Sequence, residues 1–461
     1  MMSKPMTLSQ AAIAHGGTLM YPDCQFSSVS IDSRNLRQGE LFVALEGERF
    51  DAHQFLPQVS EKAAGLVVRQ AVQHLHVPQW VVADTTLALG QLARMYRDRF
   101  EGKLIAITGS GGKTTVKEML ASILRECGKV TATKGNLNNH IGVPLTLFSL
   151  RSSDDFAVVE MGASGPGEIS YLCSLAWPDV VLVNNVMPAH VEGFGGVDAI
   201  ARAKGEIYSG VNPAGTAVIN LDEPYADEWC NRSVAIRTLR FSTSREDADF
   251  RAVDIEQDEK GRCAFVLLAP KGRIAVRLAL SGKHNVANAL AAAACACAVG
   301  APLQAVARGL AGMSSVDGRL SLHEGINGSL VIDDSYNANP GSVKAAIDTL
   351  MSFSGERLLV LGDMAELGEQ EVIFHEEVGR YAAEKGVSRL LATGELSINS
   401  VRECVIQGGD ASHFDSKSEL VEALLGALGP DTVVLVKGSR SAAMDEVVAM
   451  LTEPSNKTGE H

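Results

Sequence analysis

One short stretch constrains this chain more than any other. Residues 108–115 read Thr108-Gly109-Ser110-Gly111-Gly112-Lys113-Thr114-Thr115. Before them stands the apolar run Leu104 to Ile107, the pattern of a strand buried on both faces. After them, Val116, Met119, Leu120, Ile123, Leu124 and Cys127 recur at steps of three and four, the spacing of one buried helix face, and Gly128 supplies a stop. Strand, glycine loop and helix in that order suit a phosphate. Glycines let the backbone wrap an anion with its N–H groups turned inward, and the helix N-terminus adds partial positive charge. Lys113 is placed to reach terminal phosphates, and the Thr114 hydroxyl to ligate magnesium. A glycine cluster alone would be an ordinary turn. Gly-Lys-Thr between a buried strand and an amphipathic helix makes Gly109, Ser110, Gly111, Gly112, Lys113, Thr114 and Thr115 a predicted nucleotide site.

The rest of the chain is organised around this unit. With 461 residues, the length suits about three domains. Before the loop, Ser28–Arg34, Glu40–Leu45 and Gly65–Val68 have strand character, and Leu87–Phe100 reads as a helix. After it come apolar strands at Phe156–Val159, Val180–Val183 and Thr216–Ile219, with helical segments between some of them. A second series begins near Arg319. Its strands are Leu330–Ile332, Leu358–Leu361, Leu390–Thr393 and Val433–Val436, and its helices are Ser342–Met351, Val372–Glu384 and Ser418–Leu428. This alternation predicts an α/β protein of three domains, 1–101, 102–315 and 316–461. The central one is built on a mainly parallel sheet, and the last is a smaller Rossmann-like unit.

Composition narrows the function classes. Arginine and lysine total 41 against 55 acidic residues, a net charge of −14, which disfavours wrapping nucleic acid or binding an anionic membrane. The eight cysteines form no Cys-x-x-Cys pair. The nearest two, Cys295 and Cys297, fall in an alanine-rich run that reads as a core helix. The N-terminus leads into no apolar secretory core, and the longest apolar stretch, Ala289 to Val299, is too short to span a bilayer. The expectation is a cytoplasmic monomer that does not insert into a membrane.

The loop departs from the general pattern in one respect: Ile107 stands where the longer motif has its first glycine. With Gly109 three positions before Gly112, it resembles the nucleotide loop of the Mur ligases, the ATP-dependent amide-forming enzymes of peptidoglycan precursor synthesis. The resemblance runs along nearly the whole chain: Asn136 to Pro144, Val159-Glu160-Met161-Gly162, Ala189-His190, Ala203-Lys204-Gly205-Glu206, His284-Asn285 with Asn288, and Asp317-Gly318-Arg319. Asp333 to Pro340 and Leu361 to Gly368 resemble the family members that add D-alanyl-D-alanine. Asp32-Ser33-Arg34 and Phe42 to Gly47 resemble the family's nucleotide-sugar domain. The Asp-Asn-Pro-Arg motif of diaminopimelate-adding members is absent.

The resemblance implies a reaction. ATP phosphorylates a carboxylate to an acyl phosphate, and a free amine displaces phosphate. The substrates would be UDP-N-acetylmuramoyl-tripeptide and D-alanyl-D-alanine, with two magnesium ions. Lys113, Glu160, His190, Lys204 and Arg319 are the implied catalytic set. Thr114, Glu160, His190 and Lys204 are the implied metal site, with Lys204 carbamylated. Asn288 would meet adenine, Arg319 a phosphate, Asp334 the ribose, and Tyr336 the region of the base. Ser33 and Arg34 would hold the uridine diphosphate end, and Asn337 and Lys437 the substrate near the incoming amine. Read without the family, each has a plainer role: Glu160 a strand-end glutamate, Lys204 a helix-surface lysine, Asn288 a packing amide, Arg34 a surface ion pair. Asp363, Glu366 and His375 are expected to form a loop and helix near the dipeptide site rather than a catalytic cluster. Two alternatives stay open at this point. One is a Mur-type ligase for a different amine, and the other a nucleotide-binding switch that makes no amide bond. Protein-kinase motifs are missing.

Overall fold

The computed structural model describes residues 5–47, 50–188, 191–314 and 316–452. Three larger sheets organise them, beside two two-stranded ones. The central sheet has nine strands. Strand Lys103–Thr108 lies inside it, between Phe156–Glu160 and Val180–Val183, and pairs parallel with both. Being flanked on both edges and both faces explains its near-continuous apolar run. Ile105 and Ile107 face one core with the helix Lys113–Arg125, while Leu104 and Ala106 face the other. Pairing stays parallel through Thr216–Asn220, Arg237–Ser242 and Phe250–Gln257. It then turns antiparallel through Arg262–Ala269 and Gly272–Ser281. The alanine-rich helix His284–Ala298 packs on one core, with Cys295 fully buried.

The third sheet has six strands in the spatial order Ser321–Glu324, Leu330–Asp334, Thr432–Lys437, Glu356–Leu361, Arg389–Thr393, Ala411–Phe414. Only the first pair is antiparallel. Helices cover both faces, as parallel strands require. The first sheet has five short strands, from Thr18–Met20 to Val29–Ser30, and is parallel except at its Thr18–Met20 edge.

Most predicted elements appear within a residue or two of their predicted ends. One contracts sharply: the strand expected over Ser28–Arg34 is only Val29–Ser30. Asp32 ends it, because its Oδ1 accepts the Arg34 amide at 3.0 Å and turns the chain. The helix expected from Leu87 begins at Thr85, since Asp84 accepts from the amides of Thr86 and Leu87 at 2.7 and 2.9 Å. The antiparallel extension over 250–281 was not anticipated.

Candidate active site

Parallel strands deliver their C-terminal ends to one edge of a sheet, and ligands of open α/β sheets bind there. At that edge of the central sheet, facing the third sheet, is a cleft of about 840 Å³. Thr108 ends its strand and the glycine loop follows. Gly109 has φ +151° and Gly112 φ +71°, so both hold backbone conformations that side-chain-bearing residues rarely adopt. At Gly112 space forbids a side chain as well: a Cβ would lie 2.6 Å from Asn184 Nδ2 and 2.7 Å from Asn288 Oδ1.

The loop is shaped from behind by the segment after strand Val180–Val183. The Ser110 amide donates to Asn185 O at 2.9 Å, and the Gly111 amide to Asn185 Oδ1 at 2.8 Å. Ser110 Oγ donates to Met187 O at 3.0 Å, and Asn184 Nδ2 to Gly111 O at 2.9 Å. Two loop amides are therefore used to build the loop rather than to meet an anion. The remaining anion donors are the first-turn amides of helix Lys113–Arg125, which the helix itself cannot pair. The Lys113 ammonium reaches back over the loop to Gly109 O at 2.8 Å. Burial lowers its pKa; Glu160 opposes that shift and Arg319 adds to it.

Glu160, only 3% exposed, ends its strand facing the helix start. Thr114 Oγ1 donates to its Oε2 at 2.9 Å, and Asn138 Nδ2 to its Oε1 at 2.8 Å. Its own amide donates to Thr133 Oγ1 at 3.0 Å. A hydroxyl and a carboxylate held together are hard oxygen donors of the kind magnesium takes. Lys204 lies on helix Val197–Ser209, 1% exposed, with its ammonium 5.7 Å from the centre of the Phe194 ring. Burial, reinforced by the charge of Lys113, brings its pKa down to about 7. His190 lies outside the described residues.

The third sheet completes the cleft. Arg319 Nη2 donates to Thr114 Oγ1 at 2.9 Å, and its guanidinium lies 4.2 Å from the centre of the Tyr336 ring. Tyr336 thus steadies Arg319. Lys437 Nζ is 2.5 Å from Asp334 Oδ2 and donates to Asn337 O at 2.9 Å. This nearly buried pair fixes the turn carrying Asp334 and Asn337, so Lys437 is first a partner of Asp334. Burial raises the Asp334 pKa and Lys437 opposes the shift.

Asn288 is the middle member of a buried amide relay. Asn285 Nδ2 donates to Ser281 O at 2.7 Å, Asn288 Nδ2 to Asn285 Oδ1 at 2.8 Å, and Asn184 Nδ2 to Asn288 Oδ1 at 3.0 Å. A backbone carbonyl can only accept, so Ser281 O sets the orientation of all three amides. His284 lines the cleft and is exposed to it. Desolvation by the cleft walls, helped by the charge of Lys437, lowers its pKa.

Of the residues singled out in the sequence, Ser110 to Thr115, Glu160, Lys204, Asn288, Arg319, Asp334, Tyr336, Asn337 and Lys437 line this one cleft. Ser33 and Arg34 do not. Arg34 is 84% exposed and forks onto Asp32 at 2.9 and 3.0 Å, the surface ion pair. His375 is a structural histidine: its Nδ1 donates to Glu371 O at 2.7 Å and its Nε2 accepts the Met364 amide at 3.0 Å. Asp363 Oδ1 accepts the amides of Leu396 and Ser397 at 3.1 and 2.8 Å. Sequence reading passed over Asn138, Asn184, Asn185, Met187 and Glu223 as cleft residues. For Asn184 and Asn185 a signal existed, since polar residues directly following a buried parallel strand belong to the ligand edge.

Comparison with known proteins agrees with this geometry. The family model for the Mur ligase middle domain matches residues 107–296, and that for the Mur ligase, glutamate ligase domain matches 318–440. The UDP-N-acetylmuramoyl-tripeptide--D-alanyl-D-alanine ligase of Escherichia coli K12 is 44% identical over 97% of this chain and 98% of its own length. MurF from Acinetobacter baumannii superposes with a TM-score of 0.91 at 36% identity, covering 98% of this chain and 99% of that one. MurF from Thermotoga maritima, solved in complex with ADP, gives 0.82 at 28% identity over 92% and 96%. The chain is an ATP-dependent peptide ligase of the Mur ligase family, in its UDP-N-acetylmuramoyl-tripeptide--D-alanyl-D-alanine ligase (MurF) branch.

Proposed function

We propose that this chain joins D-alanyl-D-alanine to UDP-N-acetylmuramoyl-tripeptide in the cytoplasm, as a monomer, with ATP converted to ADP and phosphate. The observation that carries the reading is the convergence of Lys113, Lys204 and Arg319 around Glu160 and the glycine loop, at one cleft between two sheets. A substrate carboxylate oxygen attacks the γ-phosphorus, and the bond to the β-phosphate oxygen breaks as ADP leaves. The dipeptide amine then attacks the acyl carbon, phosphate departs, and the nitrogen loses its proton. Such a route needs charge neutralisation and placement more than covalent help from the protein. Lys113 and Arg319 would offset charge on the transferring phosphoryl group. The first-turn amides of helix Lys113–Arg125 would position the β-phosphate. Domains 1–101, 102–315 and 316–461 would hold the UDP-sugar, ATP and the dipeptide in turn. Closing the third domain would exclude water that hydrolyses an acyl phosphate.

The donors at the loop fit magnesium. Thr114 and Glu160 would hold one ion, and Glu160, His190 and a carbamylated Lys204 a second; bound there, magnesium neutralises phosphate charge. Carbamylation requires a neutral amine to attack carbon dioxide, forming an N–C bond and releasing a proton. A lysine brought down to about 7 by burial offers that amine near neutral pH. A well-resolved map showing unmodified Lys204 beside both ions and nucleotide would count against it.

Phosphate release, measured with D-alanyl-D-alanine and with single amino acids, tests the reaction. Using precursors ending in lysine or diaminopimelate reads tripeptide selectivity in the same assay. Turnover with a single amino acid and none with the dipeptide overturns the proposal.

A further inference from the structure

Two contacts tie the third domain to the phosphate loop, and they differ in kind. Arg319 on Thr114 is polar and uses groups that nucleotide would engage. The second contact is apolar. Met187 belongs to the segment that braces the loop, and its backbone oxygen accepts from Ser110 Oγ at 3.0 Å. Its side chain extends between two glycines from different parts of the fold. One is Gly111, in the loop, where an added Cβ would overlap Met187 Cε. The other is Gly341, at the start of the third-domain helix Pro340–Leu350, where an added Cβ would overlap Met187 Sδ. Neither glycine is required there by a left-handed backbone, so the space they leave is what the methionine uses. An unbranched, polarisable thioether keeps contact while its partners shift.

We infer that Met187 is a positioning residue: seated between Gly111 and Gly341, it transmits docking of the third domain to the phosphate loop. The inference rests on the cleft being the ATP site. When the third-domain helix approaches, Gly341 presses on the Met187 side chain, which presses on Gly111. The loop then takes its working shape only with the third domain in place. This makes phosphoryl transfer conditional on the closed arrangement.

Compensation tests it. Gly341→Ala removes the space for Met187; Met187→Ala restores it. For Gly341→Ala we expect kcat at saturating substrates to fall at least tenfold, with ADP affinity by calorimetry changed less than threefold. The double variant should regain kcat to within threefold of Met187→Ala alone. A purely structural role would lower the melting temperature of Gly341→Ala and leave kcat of the folded protein unchanged. Unchanged kcat in Gly341→Ala, or a double variant no better than it, overturns the inference. Met187→Ala removes a half-buried side chain, and circular dichroism should show the fold retained. It should lower kcat two- to fivefold, and a wild-type kcat also counts against the inference. Failure of the wild-type protein to bind ADP would instead overturn the reading of the cleft.

Discussion

The phosphate loop and the Ser33–Arg34 turn are built in opposite ways. Around the loop nearly every polar side chain is held by another part of the fold. Glu160 is gripped by Thr114 and Asn138, Gly111 by Asn184 and Asn185, and Arg319 by Tyr336. Among the described residues Arg34 is held by its neighbour Asp32, and it is largely in solvent. A site that stabilises a transition state gains from donors already fixed in place, since none then has to be ordered during the reaction. A site that recognises a large, flexible substrate can order its contacts when that substrate arrives. Under the proposed function, the two regions divide chemistry from recognition.

Substitutions can break or sharpen that division. Lys113→Ala, at the preorganised end, should lower kcat/KM for ATP by about 10³-fold, the upper range for loss of one preorganised donor. Steady-state kinetics with folding checked by circular dichroism reads this, and a loss under tenfold would mean the lysine is dispensable. Glu160→Gln keeps the shape and removes the charge. It should cost about 10²-fold in kcat and raise the magnesium needed for half-maximal rate. An unchanged magnesium requirement would remove Glu160 from the metal site. At the recognition end, Arg34→Ala should raise KM for the UDP-substrate about tenfold, the value of one charge-assisted hydrogen bond. KM for ATP and the melting temperature should stay put, because an exposed ion pair contributes little stability. A change in ATP KM would show that the two ends are coupled.

The smallest effect concerns pH. Lys204 has its folded pKa depressed to about 7 from 10.5 by burial and by Lys113. The unfolded chain therefore binds this proton more tightly. Its contribution to stability is complete above pH 10.5, falls as pH drops toward 7, and is constant below. Without ligands or carbon dioxide, the melting temperature of wild type relative to Lys204→Met should decline by a few degrees between pH 10 and 7. A flat difference would place the amine in an ordinary aqueous setting.

Much of this was legible in the chain. Val180–Val183 and Gly65–Val68 were located end to end, because a buried parallel strand is a continuous apolar run bounded by polar residues. The glycine loop was legible because its chemistry is local. The antiparallel strands over 250–281 were harder: they carry the sheet outward, and Phe250–Gln257 mixes buried and exposed positions irregularly. Arg34 was read with both its roles, and the structure shows the ion pair while leaving the binding role to experiment.

What the sequence determined alone was the nucleotide loop, the alternating α/β order and, through its motifs, the family. These rest on neighbouring residues or on spacing along one element. Only the tertiary structure decided which groups meet: Lys437 with Asp334, Tyr336 with Arg319, Asn184 with Asn288, Met187 between Gly111 and Gly341. Each such pair depends on two distant segments being packed within a few ångströms. That placement comes from sheet register and domain docking, to which no local pattern corresponds.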